Sequence, residues 1–155
     1  MRLRAVWAAA LLLTSAGCIS IRRPGGGEGG PPQTFIETTA DTRTTRLIDV
    51  RDGLPKPTLW RLLGESLGEH TVDVRDQQAG FMMTAWETSV LRDGAPDLRY
   101  RTRITVRFVG EEWKQVQLRV DARWRKGDEW QVGTDLAQLE RMAAELKLRL
   151  GRASR

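Results

Sequence analysis

The chain of 155 residues contains a single cysteine, Cys18, and a single histidine, His70. One cysteine excludes an intramolecular disulfide framework, which needs pairs. One histidine beside one cysteine falls short of the clustered ligands that a structural or catalytic zinc site requires. Nucleophilic catalysis of the usual kind needs a base next to a serine or cysteine, and no Gly-x-Ser-x-Gly elbow accompanies His70. His70 reads instead as a half-exposed capping or packing residue between a helix end and a strand. No glycine-rich phosphate loop follows a strand, because the glycine run lies in residues 24–32. No apolar stretch reaches the roughly 20 residues that a lasting membrane-spanning helix needs. The basic residues form no tract suited to a phosphate backbone, and 25 cations are set against 20 acids, so nucleic acid is not expected as a partner. Neither catalysis nor a cofactor is expected.

The N-terminus carries a stronger signal. Arg2 and Arg4 give a basic start, residues 5–13 an apolar stretch, and small residues lead into Ala16-Gly17-Cys18. This resembles a bacterial lipoprotein signal peptide, which implies that residues 1–17 are removed and that Cys18 is lipidated as the first residue of the mature chain. Attached acyl chains contribute about 0.8 kcal/mol per buried CH₂, so several hold durably where one holds marginally. An ordinary secretion signal, or an uncleaved helix, would leave Cys18 a free thiol. Removing residues 1–17 takes two arginines and no acid, which lowers the formal charge from +5 to +3. Residues 18–41 then read as a tether rich in glycine and proline, expected to stay disordered with a reach of roughly 25 Å. Phe35 and Ile36 are an apolar pair within it.

Residues 42–151 carry the patterns of one α+β domain, followed by a tail at 152–155. Threonine, isoleucine and valine mark a strand over 42–50, which Asp52-Gly53, Pro55 and Pro57 break. Three-and-four spacing of Leu59, Leu62, Leu63, Ser66 and Leu67 predicts a helix over 58–68. A short alternating segment follows at 70–76, and residues 81–90 read as a strand with Met82, Thr84 and Trp86 on the core side. Strict alternation then predicts a hairpin. Tyr100, Thr102, Ile104, Val106 and Phe108 lie on the buried face of its first strand, and Val116, Leu118, Val120, Ala122 and Trp124 on that of its second. A terminal helix starts near Gly133-Thr134-Asp135, with a stripe of Leu136, Leu139, Met142, Ala143, Leu146 and Leu150, and stops at Gly151. The expected order is β-α-β-β-β-β-α: a four- or five-stranded antiparallel sheet with both helices on one face.

The opposite face carries arginines. Arg99, Arg101, Arg103, Arg107, Arg119 and Arg123 occupy the alternate positions of the hairpin, where forked guanidiniums suit carboxylate or phosphate partners. A partner-binding surface of Arg101, Arg103, Arg107, Arg119 and Arg123 is one account; a solvated face compensated by Glu87 and Asp121 is the other. Glu87 and Asp121 could also form a carboxylate pair, although cross-strand ion pairing explains them more simply. Trp86, Trp113, Trp124 and Trp130 lie on or beside the strands, where such rings more often fill a core than recognise a ligand.

The lipidated cysteine, the tether, and the segments Leu59-Trp60-Arg61-Leu62-Leu63, Gly80-Phe81-Met82-Met83-Thr84-Ala85-Trp86 and Tyr100-Arg101-Thr102-Arg103-Ile104-Thr105-Val106-Arg107 together resemble the helix-grip lipoproteins, the C component of the outer-membrane β-barrel assembly machinery among them. The resemblance implies a non-enzymatic interaction or scaffolding domain, held to a membrane by its lipid and meeting an envelope protein. Ile19 after the cysteine, in place of aspartate, implies the outer membrane facing the periplasm. Helix-grip folds can also enclose a lipid-like ligand between helix and sheet, which gives a carrier as the second reading.

Overall fold

The computed structural model describes residues 29–38, 44–88 and 90–152, so the expectations for Cys18, for the signal and for the first part of the tether lie outside it. In chain order the elements are β1 (Phe35–Glu37), β2 (Thr45–Asp49), α1 (Lys56–Ser66), β3 (Val72–Asp76), β4 (Phe81–Thr84), β5 (Leu91–Arg92), β6 (Ala95–Pro96), β7 (Tyr100–Val109), β8 (Gln115–Lys126), β9 (Glu129–Asp135) and α2 (Leu136–Leu150). The class is α+β as expected, with every strand pairing antiparallel. The main sheet has seven strands where the sequence suggested four or five. Its order is β1-β9-β8-β7-β4-β3, and β2 also pairs with β8. The long β8 serves two neighbours on one edge, β2 against residues 115–119 and β9 against residues 122–126.

Two of the additional strands escape a periodicity reading. β1 is three residues long, and it turns Phe35 and Ile36 from a tether pair into an edge strand along β9. The tether expected over 18–41 therefore includes a paired segment. β9 ends in Gly133-Thr134-Asp135, the same residues that signal a helix start, so the strand runs directly into α2. Gly133 is required there by close approach: a Cβ would fall 2.2 Å from the Ile36 carbonyl oxygen.

Alternation along β7 and β8 buries one face completely. Ile104, Val106, Val116, Leu118 and Val120 are at most 1% exposed, and against them lie Leu59, Leu63 and Leu67 from α1 and its end, with Leu139, Met142, Leu146 and Leu150 from α2. Both helices thus share this face, and their side chains fill the space between helix and sheet. Burying side chains of this size contributes about 1.5–3 kcal/mol each. Helix α1 begins at Lys56, earlier than the spacing indicates, because Pro57 sits in the first turn, where no backbone donor is needed. Leu136, expected in the stripe of α2, is 36% exposed at the first position of the helix. Trp113 stacks on Phe108 at 4.3 Å and closes one end of the core.

Asp135 joins the sheet to α2. Its Oδ1 accepts the Gln138 backbone N–H at 3.0 Å as the helix N-cap, and its Oδ2 accepts the hydroxyls of Tyr100 at 2.8 Å and Thr34 at 3.1 Å. Tyr100 is fully buried, and burial, followed by the charge and hydrogen bond of Asp135, pushes its phenol far above the ordinary range.

Candidate functional site

The sheet face away from the helices is built by register. Arg101 lies directly opposite Arg123, and Arg103 opposite Asp121, while Arg119 precedes Asp121 by two residues on the same face. Asp121 is 6% exposed and is held by Arg119 Nε at 2.6 Å and by a terminal nitrogen of Arg103 at 3.3 Å. A carboxylate this deep needs such partners, since an unpaired buried charge is costly. Arg103 and Arg119 are therefore committed within the protein.

Trp86 lies among the arginines, which corrects its expected place in the core. Between Met83↔Thr105 and the bridge Glu87↔Thr102, β4 and its extension carry three residues against two on β7. That extra residue inverts the alternation, as a bulge does, so Trp86 falls on the outer face although Met82 and Thr84 face inward. The Thr84 hydroxyl accepts the Ile104 backbone N–H at 3.0 Å and replaces the ladder bond lost there. The guanidiniums of Arg123, Arg103 and Arg101 lie 4.6, 4.7 and 5.2 Å from the Trp86 ring centre, and Arg101 is also 4.2 Å from that of Trp130. The ladder runs Trp130, Arg101, Trp86, then Arg103 and Arg123. Each such contact contributes about 0.5–1 kcal/mol when partly exposed.

The same inversion moves Glu87 off this face. Its Oε2 lies 2.7 Å from His70 Nδ1, and its Oε1 accepts the Thr71 backbone N–H at 2.6 Å, on the helix side of the sheet. Glu87 therefore does not compensate the arginines, and it does not form a pair with Asp121. His70, half-buried, is occupied by that bond.

Charge on the face is thus unbalanced. Among the described residues, the carboxylate of Asp121 pairs with two of the four guanidiniums, those of Arg103 and Arg119, and the other two, of Arg101 and Arg123, lie over Trp86. Among the described residues, Arg101 and Arg123 have no carboxylate partner, although like charges directly opposite each other are destabilising. Their Nε atoms are buried against the rings without a hydrogen bond, as is that of Arg103, and among the described residues the terminal nitrogens of Arg101 and Arg123 form no hydrogen bond or ion pair. Arg107 is exposed farther along β7, opposite Gln117, and lines a surface cleft with Trp113. Arg99 belongs elsewhere: it binds Asp97 at the start of β7. The tryptophans divide, with Trp113 and Trp124 in the core and Trp86 and Trp130 on the ladder.

Sequence reading found the arginines but missed the tryptophan that organises them. Only a bulge signal could have placed Trp86, and Ala85 between Thr84 and Trp86 gives none. Among the described residues no cluster of three potential metal ligands occurs, and no helix is long and apolar enough to cross a membrane. No protein-family model matches the chain, and a search of curated proteins finds none that matches.

Proposed function

We propose that this chain is a non-enzymatic, lipid-anchored envelope protein that docks an acidic protein partner on its arginine-tryptophan face. One observation carries the reading: Arg101 and Arg123 oppose each other across β7 and β8 without a carboxylate, propped on Trp86 with their outer nitrogens free. A partner carboxylate between them would relieve the repulsion and accept paired donors from both forks. The indole floor holds the guanidiniums in place, so little side-chain entropy is lost on docking.

The signal ending at Cys18 supplies the location, with Ile19 in the following position favouring the outer membrane and a periplasmic domain. Resemblance to the helix-grip lipoproteins supports the same reading through a long terminal helix laid on an antiparallel sheet. Holding both proteins at one membrane raises the effective concentration, so modest affinity suffices. A carrier of a hydrophobic ligand draws no support from a helix–sheet interior already filled by Leu139, Met142, Leu146 and Leu150.

The test is charge reversal at Arg101 and Arg123 together, sparing Arg103 and Arg119 because their loss would strand Asp121. Affinity isolation from solubilised membranes is expected to lose its acidic partner in the R101E/R123E protein, and in the native protein at high salt. Retention of the partner by a folded R101E/R123E protein would remove this face from consideration.

A further inference from the structure

The place where the chain enters the domain determines which end lies nearest an N-terminal anchor. Arg92 donates from Nε to Asp97 Oδ2 at 2.8 Å and from a terminal nitrogen to the Gly30 carbonyl at 3.1 Å. Arg99 holds Asp97 Oδ1 through its backbone N–H at 3.1 Å and its Nε at 3.2 Å. Gly29 lies against the Arg92 guanidinium so closely that a Cβ would fall 1.4 Å from one of its nitrogens. Two arginines, one buried carboxylate and a glycine pair thus form a latch. It fastens the N-terminal segment to the β5–β6 corner, whose turn has positive φ at both Asp93 and Gly94, as in a two-residue type I′ hairpin.

Leu91 precedes Arg92 and Leu98 follows Asp97, and they are 69% and 77% exposed. A singly exposed leucine needs no explanation. Two on either side of the point where the anchored segment enters do. Ten residues separate Cys18 from Gly29, and covalent geometry limits that span to about 40 Å. The corner therefore stays within about 40 Å of an acylated Cys18. The surrounding charges are nearly neutral, since Arg92 and Arg99 share Asp97 while Arg125 faces Asp128 at 3.4 Å. Resting on the lipid-anchor reading above, we infer that the β5–β6 corner is the membrane-apposed end of the domain and that Leu91 and Leu98 insert into the bilayer interface. The contact is apolar, so zwitterionic phospholipid suffices.

The single native cysteine makes the test clean, because an acylated Cys18 cannot react with a thiol label. Lipidated L91C and L98C proteins, purified from membranes and reconstituted in phosphatidylcholine vesicles, would each take one nitroxide at the new cysteine. Leu148 provides the control. It is 76% exposed near the Gly151–Val50 bridge, at the opposite end of the sheet. Accessibility to oxygen relative to a water-soluble nickel reagent is expected to be several-fold higher at 91 and 98 than in L148C, placing those labels about 5–10 Å into the interface. Equal, water-like values at all three sites, with Cys18 blocked, would overturn this inference alone. Uptake of label by the native protein at Cys18 would overturn the anchor and this inference with it.

Discussion

Arg123→Gln separates an arginine kept for docking from one kept for stability. In the folded protein Arg123 makes one ring contact, with Trp86 at 4.6 Å, which contributes about 0.5–1 kcal/mol at a half-exposed site. It also stands directly opposite Arg101, a like-charge pair that costs about 0.2–1 kcal/mol. The two effects nearly cancel, and Asp121 keeps both of its partners, so folding stability is expected to change by less than about 0.5 kcal/mol. Arg103→Gln is the contrast. It leaves Asp121, 6% exposed, with Arg119 alone, and the expected loss is about 1–3 kcal/mol. Guanidinium unfolding followed by tryptophan fluorescence measures both, and an unchanged denaturant slope would show that only stability has moved. If Arg123→Gln cost as much as Arg103→Gln, the Arg123 guanidinium would be a structural strut and not an unpaired docking group.

Three further outcomes follow from the fold. Asp135→Ala removes the cap of α2 and orphans the buried Tyr100 hydroxyl, so it is expected to cost about 2–4 kcal/mol in equilibrium unfolding, whereas Tyr100→Phe should cost about 1; equal losses would mean that Asp135 does not join the sheet to the helix. Gly80 has φ of +62°, and a Cβ there would meet the Trp113 ring at 3.0 Å, so Gly80→Ala is expected to lose about 2 kcal/mol or more and to lower the melting temperature; an unchanged melting temperature would contradict that close approach. Burial alone would raise the Asp97 carboxyl, but hydrogen bonds from Arg99 and then Arg92 outweigh it and hold it below the usual carboxylate range. A depressed value in the fold means stability that is present above the unfolded value of about 3.9 and lost as pH falls through the lower folded one. Stability of the native protein should therefore decline below about pH 4, and that of Asp97→Asn should decline less steeply there; identical acid limbs would remove Asp97 from the latch.

Legibility in the sequence followed the length and regularity of the elements. The hairpin β7–β8 was readable residue by residue because strict alternation over ten and twelve residues leaves one register that buries Ile104, Val106, Leu118 and Val120. The stripes of both helices were readable for the same reason at their own period, apart from Leu136, which the first turn of α2 leaves exposed. The short strands were not. β1 gains its stability from β9, which is distant in sequence, and nothing local distinguishes Phe35 and Ile36 from an apolar pair in a tether. At the site, composition exposed the arginines, but the ladder depends on one extra residue between Met83 and Glu87, and a bulge reverses every later side chain without changing composition. That reversal sends Trp86 to the arginines and Glu87 to His70, so the expected compensation of the face reduces to Asp121.

The proposed function requires a charged face to meet a partner while the chain is held at the membrane. Gln117 lies on that face opposite Arg107 and is exposed, so a photoreactive residue at 117 can report contact in intact cells. The expected result is a discrete crosslink to an envelope protein through an acidic segment, absent when Arg101 and Arg123 are both glutamate. The same crosslink with and without those arginines, or none from position 117 in the native protein, would contradict the account.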